Sequence, residues 1–160
     1  YIVEARAQTR VLVSSISEDD VRSFIRSPNV LVGSDGNSVA PYGTTGQGKP
    51  HPRFYGTFAR ILGHYVRELG LLPLHSAIHK MTGASAAALG LVDRGILRDG
   101  YFADITVFDP DTVAERATYL DPHQYAAGIG TVLVNGAVVL EDGAHTGALP
   151  GRIIRRAEAA

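Results

Sequence analysis

Two hydrophobic periods divide the chain: helical spacing dominates to about residue 90, and strand-like alternation follows. Val11-Leu12-Val13 is a short β-branched run. Ser17 follows as a helix N-cap with Asp20 in the capping-box position, and Glu18 and Asp19 complement the helix dipole. Val21, Phe24 and Ile25 recur at helical spacing, and Pro28-Asn29 ends the helix before a second apolar run, Val30-Leu31-Val32. This pattern predicts a βαβ unit with parallel strands, which need both faces covered. Phe54, Phe58, Ile61, Leu62, Tyr65, Val66 and Leu69 form one helical stripe closed by Gly70. A shorter helix starts after Pro73, with Leu74, Ala77, Ile78 and Met81 inward, and a helical turn from Ala84 to Leu89 stops at Gly90. Strands are expected at Ala103–Phe108 and on both sides of Asn135-Gly136, a dipeptide suited to a type I′ hairpin. Between Asp109 and Gly128 the pattern is mixed and reads as loop with one short strand. The expected boundary divides the chain into 1–90 and 91–160.

Composition narrows the class. With 160 residues and 45% apolar side chains the chain can bury a core, and a net charge of −1 offers no electrostatic attraction to nucleic acid or an anionic membrane. Cysteine is absent, which removes disulfides, thiolate ligands and cysteine nucleophiles. No apolar run approaches the roughly twenty residues of a bilayer span. No signal peptide is read at the start, and a cytoplasmic location is expected. Tyr1 is not a methionine, so the true start is expected upstream.

The candidate chemistry gathers at Gly33-Ser34-Asp35-Gly36, directly after Val30–Val32 and before a Gly- and Pro-rich loop reaching His51. α/β barrels and open α/β sheets place reactive groups at such strand ends. Asp35 is therefore either a catalytic carboxylate or a turn residue binding nearby backbone. Arg53, at the end of the loop, could grip a substrate carboxylate with two parallel hydrogen bonds, or pair with a loop carbonyl or an acidic neighbour. His51, between Pro50 and Pro52, is either a substrate contact or a loop-packing residue. His75 and His79 stand at i, i+4, as zinc-binding histidines do, but Ser76-Ala77-Ile78 between them supplies no acid, so a solvated face is expected. His64 and Asp104 read as structural, Arg94, Arg98 and Asp99 as solvated or turn residues, and His123 and His145 as lacking a ligand cluster.

The segment from Gly95 to Asp109, with Asp99-Gly100 and Ala103-Asp104-Ile105 within it, resembles the closing signature of the amidohydrolase superfamily. Val132-Leu133-Val134-Asn135-Gly136 resembles its usual partner. More narrowly, Gly33-Ser34-Asp35-Gly36, His51-Pro52-Arg53 with Gly56-Thr57-Phe58, Leu62-Gly63-His64-Tyr65-Val66-Arg67 and Lys80-Met81-Thr82-Gly83 together resemble the N-acyl-D-amino-acid deacylases, or D-aminoacylases, from about Val11 to Arg152. The resemblance implies an α/β fold: the C-terminal part of a (β/α)8 barrel in residues 1–90, followed in 91–160 by a segment of a small β-sandwich. It implies a zinc-dependent amide hydrolase that releases a D-amino acid and a carboxylate. Asp35 matches the aspartate that shuttles the proton between water and leaving amine, and Ser34, Gly36, His51 and Arg53 fall at the substrate.

The chain departs from the family in lacking a His-x-His pair: His51, His64, His75, His79, His123 and His145 are never two apart. It also lacks the family's cysteine. No confident metal ligand is assigned within the segment, Asp35 being at most a weak one. The chain is therefore expected to be a C-terminal piece, inactive alone, whose partners are the remaining barrel strands or a second copy pairing through open sheet edges at Val11–Val13 and Val30–Val32. Competing readings are a cyclic-amide hydrolase of the dihydroorotase or hydantoinase kind, a non-catalytic amidohydrolase-like scaffold, and a free-standing binding module.

Overall fold

The computed structural model describes residues 3, 4, 13 and 15–155. The first helix, α1 (Glu18–Arg26), starts as its cap chemistry requires: Ser17 Oγ accepts the Asp20 N–H at 3.1 Å, and three acidic residues fill the first turn. Ile25 is its buried contact. A long irregular segment follows, with one 3₁₀ turn at Thr44–Gly46. Next come α2 (Arg53–Arg60), a π-helical stretch (Ile61–Glu68), α3 (Leu74–Met81) and α4 (Gly83–Leu89). Gly90 closes α4 at φ 72°, the left-handed conformation that glycine adopts without a Cβ penalty.

The second half forms one antiparallel sheet in the order β1 (Ile105–Phe108), β2 (Ile129–Val134), β3 (Ala137–Glu141), β4 (Ala144–His145). Asn135 and Gly136 sit at φ 48° and 83° between the paired residues Val134 and Ala137, so the expected hairpin forms with the expected turn chemistry. Between β1 and β2, Ala114 and Ala127 exchange backbone hydrogen bonds of 3.3 and 2.9 Å as an isolated bridge.

One expectation, the βαβ unit, falls partly outside the described residues, and another is corrected. Among the described residues Val30–Val32 joins no ladder, and the only sheet is the antiparallel one. A strand exists through its neighbour, and the proposed neighbour, Val11 and Leu12 with Val13, lies outside the described residues apart from Val13. Val32 instead packs on the helical core while Leu31 remains exposed. The stripe from Phe54 to Leu69 is also not one regular helix. Its second half widens to π geometry, with the Leu69 N–H donating to His64 O at 2.9 Å, five residues back. Phe58, in the regular helix before it, and Leu69, at its end, stay exposed, whereas Ile61, Leu62, Gly63 and Tyr65 are buried. Ile61, Leu62 and Tyr65 join Ile25, Ala59, Ala77 and Val113 in the core.

Long-range polar ties hold this core to its surroundings. Arg60 binds Glu115 and lies over the Tyr65 ring, and Tyr65 Oη reaches Glu18 of α1 at 3.3 Å. Burial works against the Arg60 cation, but its bonds to Tyr65 and Glu115 outweigh burial and raise its pKa. Arg94, expected to be a solvated or turn residue, is instead mostly covered, with 10% of its side-chain surface accessible. It binds Asp104 and Asn135 Oδ1 over the Phe102 ring, while Asp104 accepts the Asn135 N–H at 2.7 Å. This network ties the Gly95–Asp109 segment to the Asn135-Gly136 hairpin.

Candidate functional site

Asp35 stands at the head of the irregular segment in a left-handed backbone conformation, φ 49°, which aspartate tolerates better than most residues. Its neighbours build a tight turn: Ser34 Oγ accepts the Gly36 N–H at 3.2 Å. A side chain at Gly36 would stand 3.1 Å from the Phe54 Cα and 3.3 Å from Ser34 Oγ, so glycine permits the loop to close on the start of α2. The Asp35 carboxylate is largely exposed, with 86% of its side-chain surface accessible.

Arg53, the first residue of α2, reaches back across the loop. Its Nη2 lies 2.9 Å from Asp35 Oδ2, and its Nε donates to the Asp35 carbonyl at 3.0 Å. Both partners that the sequence allowed apart from a substrate carboxylate, a loop carbonyl and an acidic neighbour, are thus supplied by the same residue. Pro52 precedes α2 without a side-chain acceptor, and His51 takes that place: its Nδ1 accepts the Arg53 N–H at 3.0 Å. A backbone N–H can only donate, so Nδ1 is unprotonated and Nε2 carries the hydrogen, which it donates to Tyr119 Oη at 3.1 Å. Burial, and then the Arg53 charge, holds the His51 pKa below its ordinary value, consistent with a neutral ring.

A second imidazole–phenol pair lies alongside. His123 Nε2 donates to the Gly48 carbonyl at 2.9 Å, and its Nδ1 lies 2.9 Å from the Tyr55 hydroxyl, which donates to it when the ring is neutral. Burial raises the Tyr55 pKa. Lys49 Nζ adds a bond to the Leu120 carbonyl at 2.8 Å. The loop before α2 is therefore fastened to residues 118–125, a segment that follows the Ala114–Ala127 bridge outward. Ser34, Asp35, Gly36, His51 and Arg53 come together in one place, and Tyr119 and His123 join them. Sequence reasoning missed these last two, since each meets its partner 68 residues away with no local signal.

Metal chemistry meets a clear limit. Among the described residues no three or more histidine, aspartate or glutamate side chains are grouped to hold a metal ion. His75 and His79 lie on the exposed side of α3, along an apolar cleft of about 760 Å³ between the helices and the sheet. Asp35 alone cannot make the three- or four-ligand site that zinc requires. The residues present therefore do not fit a complete metal centre.

Residues 5–140 match the model of the amidohydrolase family. The chain is 49% identical over 144 residues to a D-aminoacylase of Alcaligenes xylosoxydans xylosoxydans, covering 90% of this chain and 28% of that protein. An N-acyl-D-aspartate deacylase of the same organism is 45% identical over 145 residues, again covering 90% and 28%. A crystal structure of D-aminoacylase superposes with a TM-score of 0.80 at 48% identity, covering 88% of this chain and 28% of the other. N-acyl-D-glutamate deacylase from Bordetella bronchiseptica, complexed with zinc and a phosphonate mimic of the tetrahedral intermediate, gives 0.70 at 44% identity, covering 80% and 26%. The chain thus spans a little over a quarter of the length of these relatives. It belongs to the amidohydrolase family.

Proposed function

We propose that the chain is the C-terminal portion of a metal-dependent hydrolase that deacylates N-acyl-D-amino acids, with Asp35 as its proton-shuttling carboxylate. The observation that carries this reading is Asp35 itself: an accessible carboxylate on a left-handed turn, gripped by Arg53, in a chain 49% identical to a D-aminoacylase. In this reading residues 1–90 close the barrel and 91–160 contribute to a flanking sandwich. The metal of the complete enzyme is held by residues outside this segment, where it would activate the attacking water.

Asp35 accepts a proton from the attacking water and returns it to the departing amine, general acid–base work that contributes about 10²–10⁴-fold in rate. Arg53, whose planar fork suits a carboxylate, receives the carboxylate of the amino-acid moiety, with Ser34 and Gly36 bordering the scissile amide. An arriving carboxylate competes with the Asp35 side chain for the Arg53 Nη groups and leaves the aspartate available to water, while Arg53 Nε keeps its bond to the Asp35 carbonyl.

The test uses the full-length protein that carries this segment. It should hydrolyse N-acetyl-D-amino acids in preference to the L-enantiomers. Asp35→Asn should keep the metal content and circular dichroism of the wild type while losing at least about 10²-fold in kcat. Near-normal turnover by that variant removes Asp35 from the mechanism, and equal use of the two enantiomers removes the substrate assignment.

A further inference from the structure

We propose that His51 is a positioning residue: backed by Tyr119, it fixes the start of α2 so that Arg53 holds Asp35 in place. The proposal rests on the role given to Asp35 and Arg53 above, and adds a second layer behind them.

The contacts form a chain in space. Tyr119 Oη accepts from His51 Nε2 at 3.1 Å, His51 Nδ1 accepts the Arg53 N–H at 3.0 Å, and Arg53 bonds the Asp35 carbonyl and carboxylate at 3.0 and 2.9 Å. Both His51 ring nitrogens are thus occupied by protein groups. The Tyr119 ring stands edge-on to the imidazole, with centroids 5.1 Å apart at 80°, which orients the ring as well as holding it. The Arg53 N–H is one of the four donors at the start of α2 that no helical carbonyl can satisfy. Pro52 offers it nothing, so the imidazole acts as the cap.

The segment bearing Tyr119 has its own internal support. Thr118 and Asp121 close a turn, with the Asp121 N–H on Thr118 Oγ1 at 2.9 Å and the Thr118 N–H on the Asp121 carbonyl at 3.0 Å. Lys49 and His123 fasten the same segment to the loop just before His51. Residues 118–125 therefore act as a strap across the base of the candidate active-site loop.

The chemistry of the cap provides a discriminating variant. Asparagine places Oδ1 on Cγ, where histidine places Nδ1, so His51→Asn can still accept the Arg53 N–H, as in an Asx turn. His51→Leu cannot. In the full-length protein His51→Leu should lower kcat/KM for an N-acetyl-D-amino acid by roughly five- to tenfold, the equivalent of one hydrogen bond, mainly through kcat. His51→Asn should recover most of that loss, and Tyr119→Phe should lower kcat/KM by about two- to fourfold through the weaker hold on the ring. Amide hydrogen exchange in the 36–56 region gives a readout independent of turnover. It should rise in His51→Leu and fall back in His51→Asn.

If His51→Asn is as impaired as His51→Leu, or if the loss in His51→Leu lies in KM alone, the imidazole touches substrate and the proposal fails. If the wild-type protein does not deacylate these substrates, the functional reading fails instead. The exchange pattern then decides the positioning role, and unchanged exchange in His51→Leu overturns it.

Discussion

Lys80 offers the sharpest test of how the helical half is assembled. It lies on α3 with only 8% of its surface exposed. Its Nζ donates to the Ile25 carbonyl at 2.8 Å and to the Ser27 carbonyl, at the end of α1. No further helical turn can satisfy those carbonyls, and the negative end of the helix dipole favours a cation there. Lys80→Met keeps the length and the apolar stem, so little cavity is created, and the perturbation isolates the ammonium. A buried acceptor left unpaired costs about 1–3 kcal/mol. The Ser27 carbonyl keeps the Val30 N–H at 3.4 Å, so most of that cost falls on Ile25. The lost cation–dipole attraction adds roughly 0.3–1 kcal/mol.

An opposing effect must be subtracted. Burial holds the Lys80 pKa below its ordinary value, so the fold bears a cost for keeping the ammonium charged. A net loss of about 2 kcal/mol follows, which in urea moves the unfolding midpoint down by roughly 1 M. Because the folded pKa is below 10.5, the unfolded chain binds more protons as pH rises from the folded value towards 10.5. The stability difference between wild type and Lys80→Met should widen over that range. A midpoint shift below about 0.2 M refutes the reasoning. It would mean that the ammonium's burial cost cancels its bonds, and that α1 is held by Ile25 packing alone.

Four further outcomes are expected. Gly63→Ala should destabilise the protein by about 1–3 kcal/mol, because the new Cβ would stand 2.6 Å from the Val113 carbonyl; an unchanged urea midpoint would show that the π-helical stretch yields. Arg94→Leu should cost about 1–3 kcal/mol and be strongly non-additive with Asp104→Asn in a thermal-denaturation double-mutant cycle, whereas additive losses would separate the two residues energetically. His51 has a folded pKa below 6.5, so its contribution to stability is complete above that pH and is lost as pH falls through the folded value. The stability advantage of wild type over the non-titrating His51→Asn should therefore shrink on acidification, and an advantage that grew would reverse the assigned sign. The purified chain, dialysed and measured by elemental analysis, should retain less than one zinc per chain; stoichiometric zinc would reveal a ligand set that the described residues do not show.

What could be read from the sequence was local. Ser17 with its acidic followers, Gly90 after Leu89, and Asn135-Gly136 between β-branched runs each state their conformation within a few residues, and each forms as expected. Arg94 and Lys80 were opaque because a charged side chain is ordinarily solvated, and only a partner from elsewhere makes its burial tolerable. Their partners, Asp104 with Asn135 and the end of α1, come together through tertiary packing. The π-helical widening after Arg60 leaves no compositional trace, since the apolar residues there fit an ordinary helix equally well. Val30–Val32 shows the same limit from the other side, as apolar content marks a segment fit for a strand while the ladder depends on a neighbour.

This distinction bears on how Asp35 is held. An exposed ion pair such as Asp35–Arg53 is worth roughly 0.2–1 kcal/mol, too little to confine a carboxylate to the tolerance of about 0.5 Å that catalysis demands. The bond from Arg53 Nε to the Asp35 carbonyl fixes backbone rather than side chain, and it acts where the chain adopts φ 49°. Arg53 can impose that constraint only if its own backbone is anchored, and the anchor is the imidazole of His51, held in turn by Tyr119. Precision at Asp35 therefore depends on residues 84 positions further along the chain, beyond the reach of any local motif. The Gly33-Ser34-Asp35-Gly36 motif marks where the carboxylate sits, and the strap at 118–125 determines how firmly it is held there.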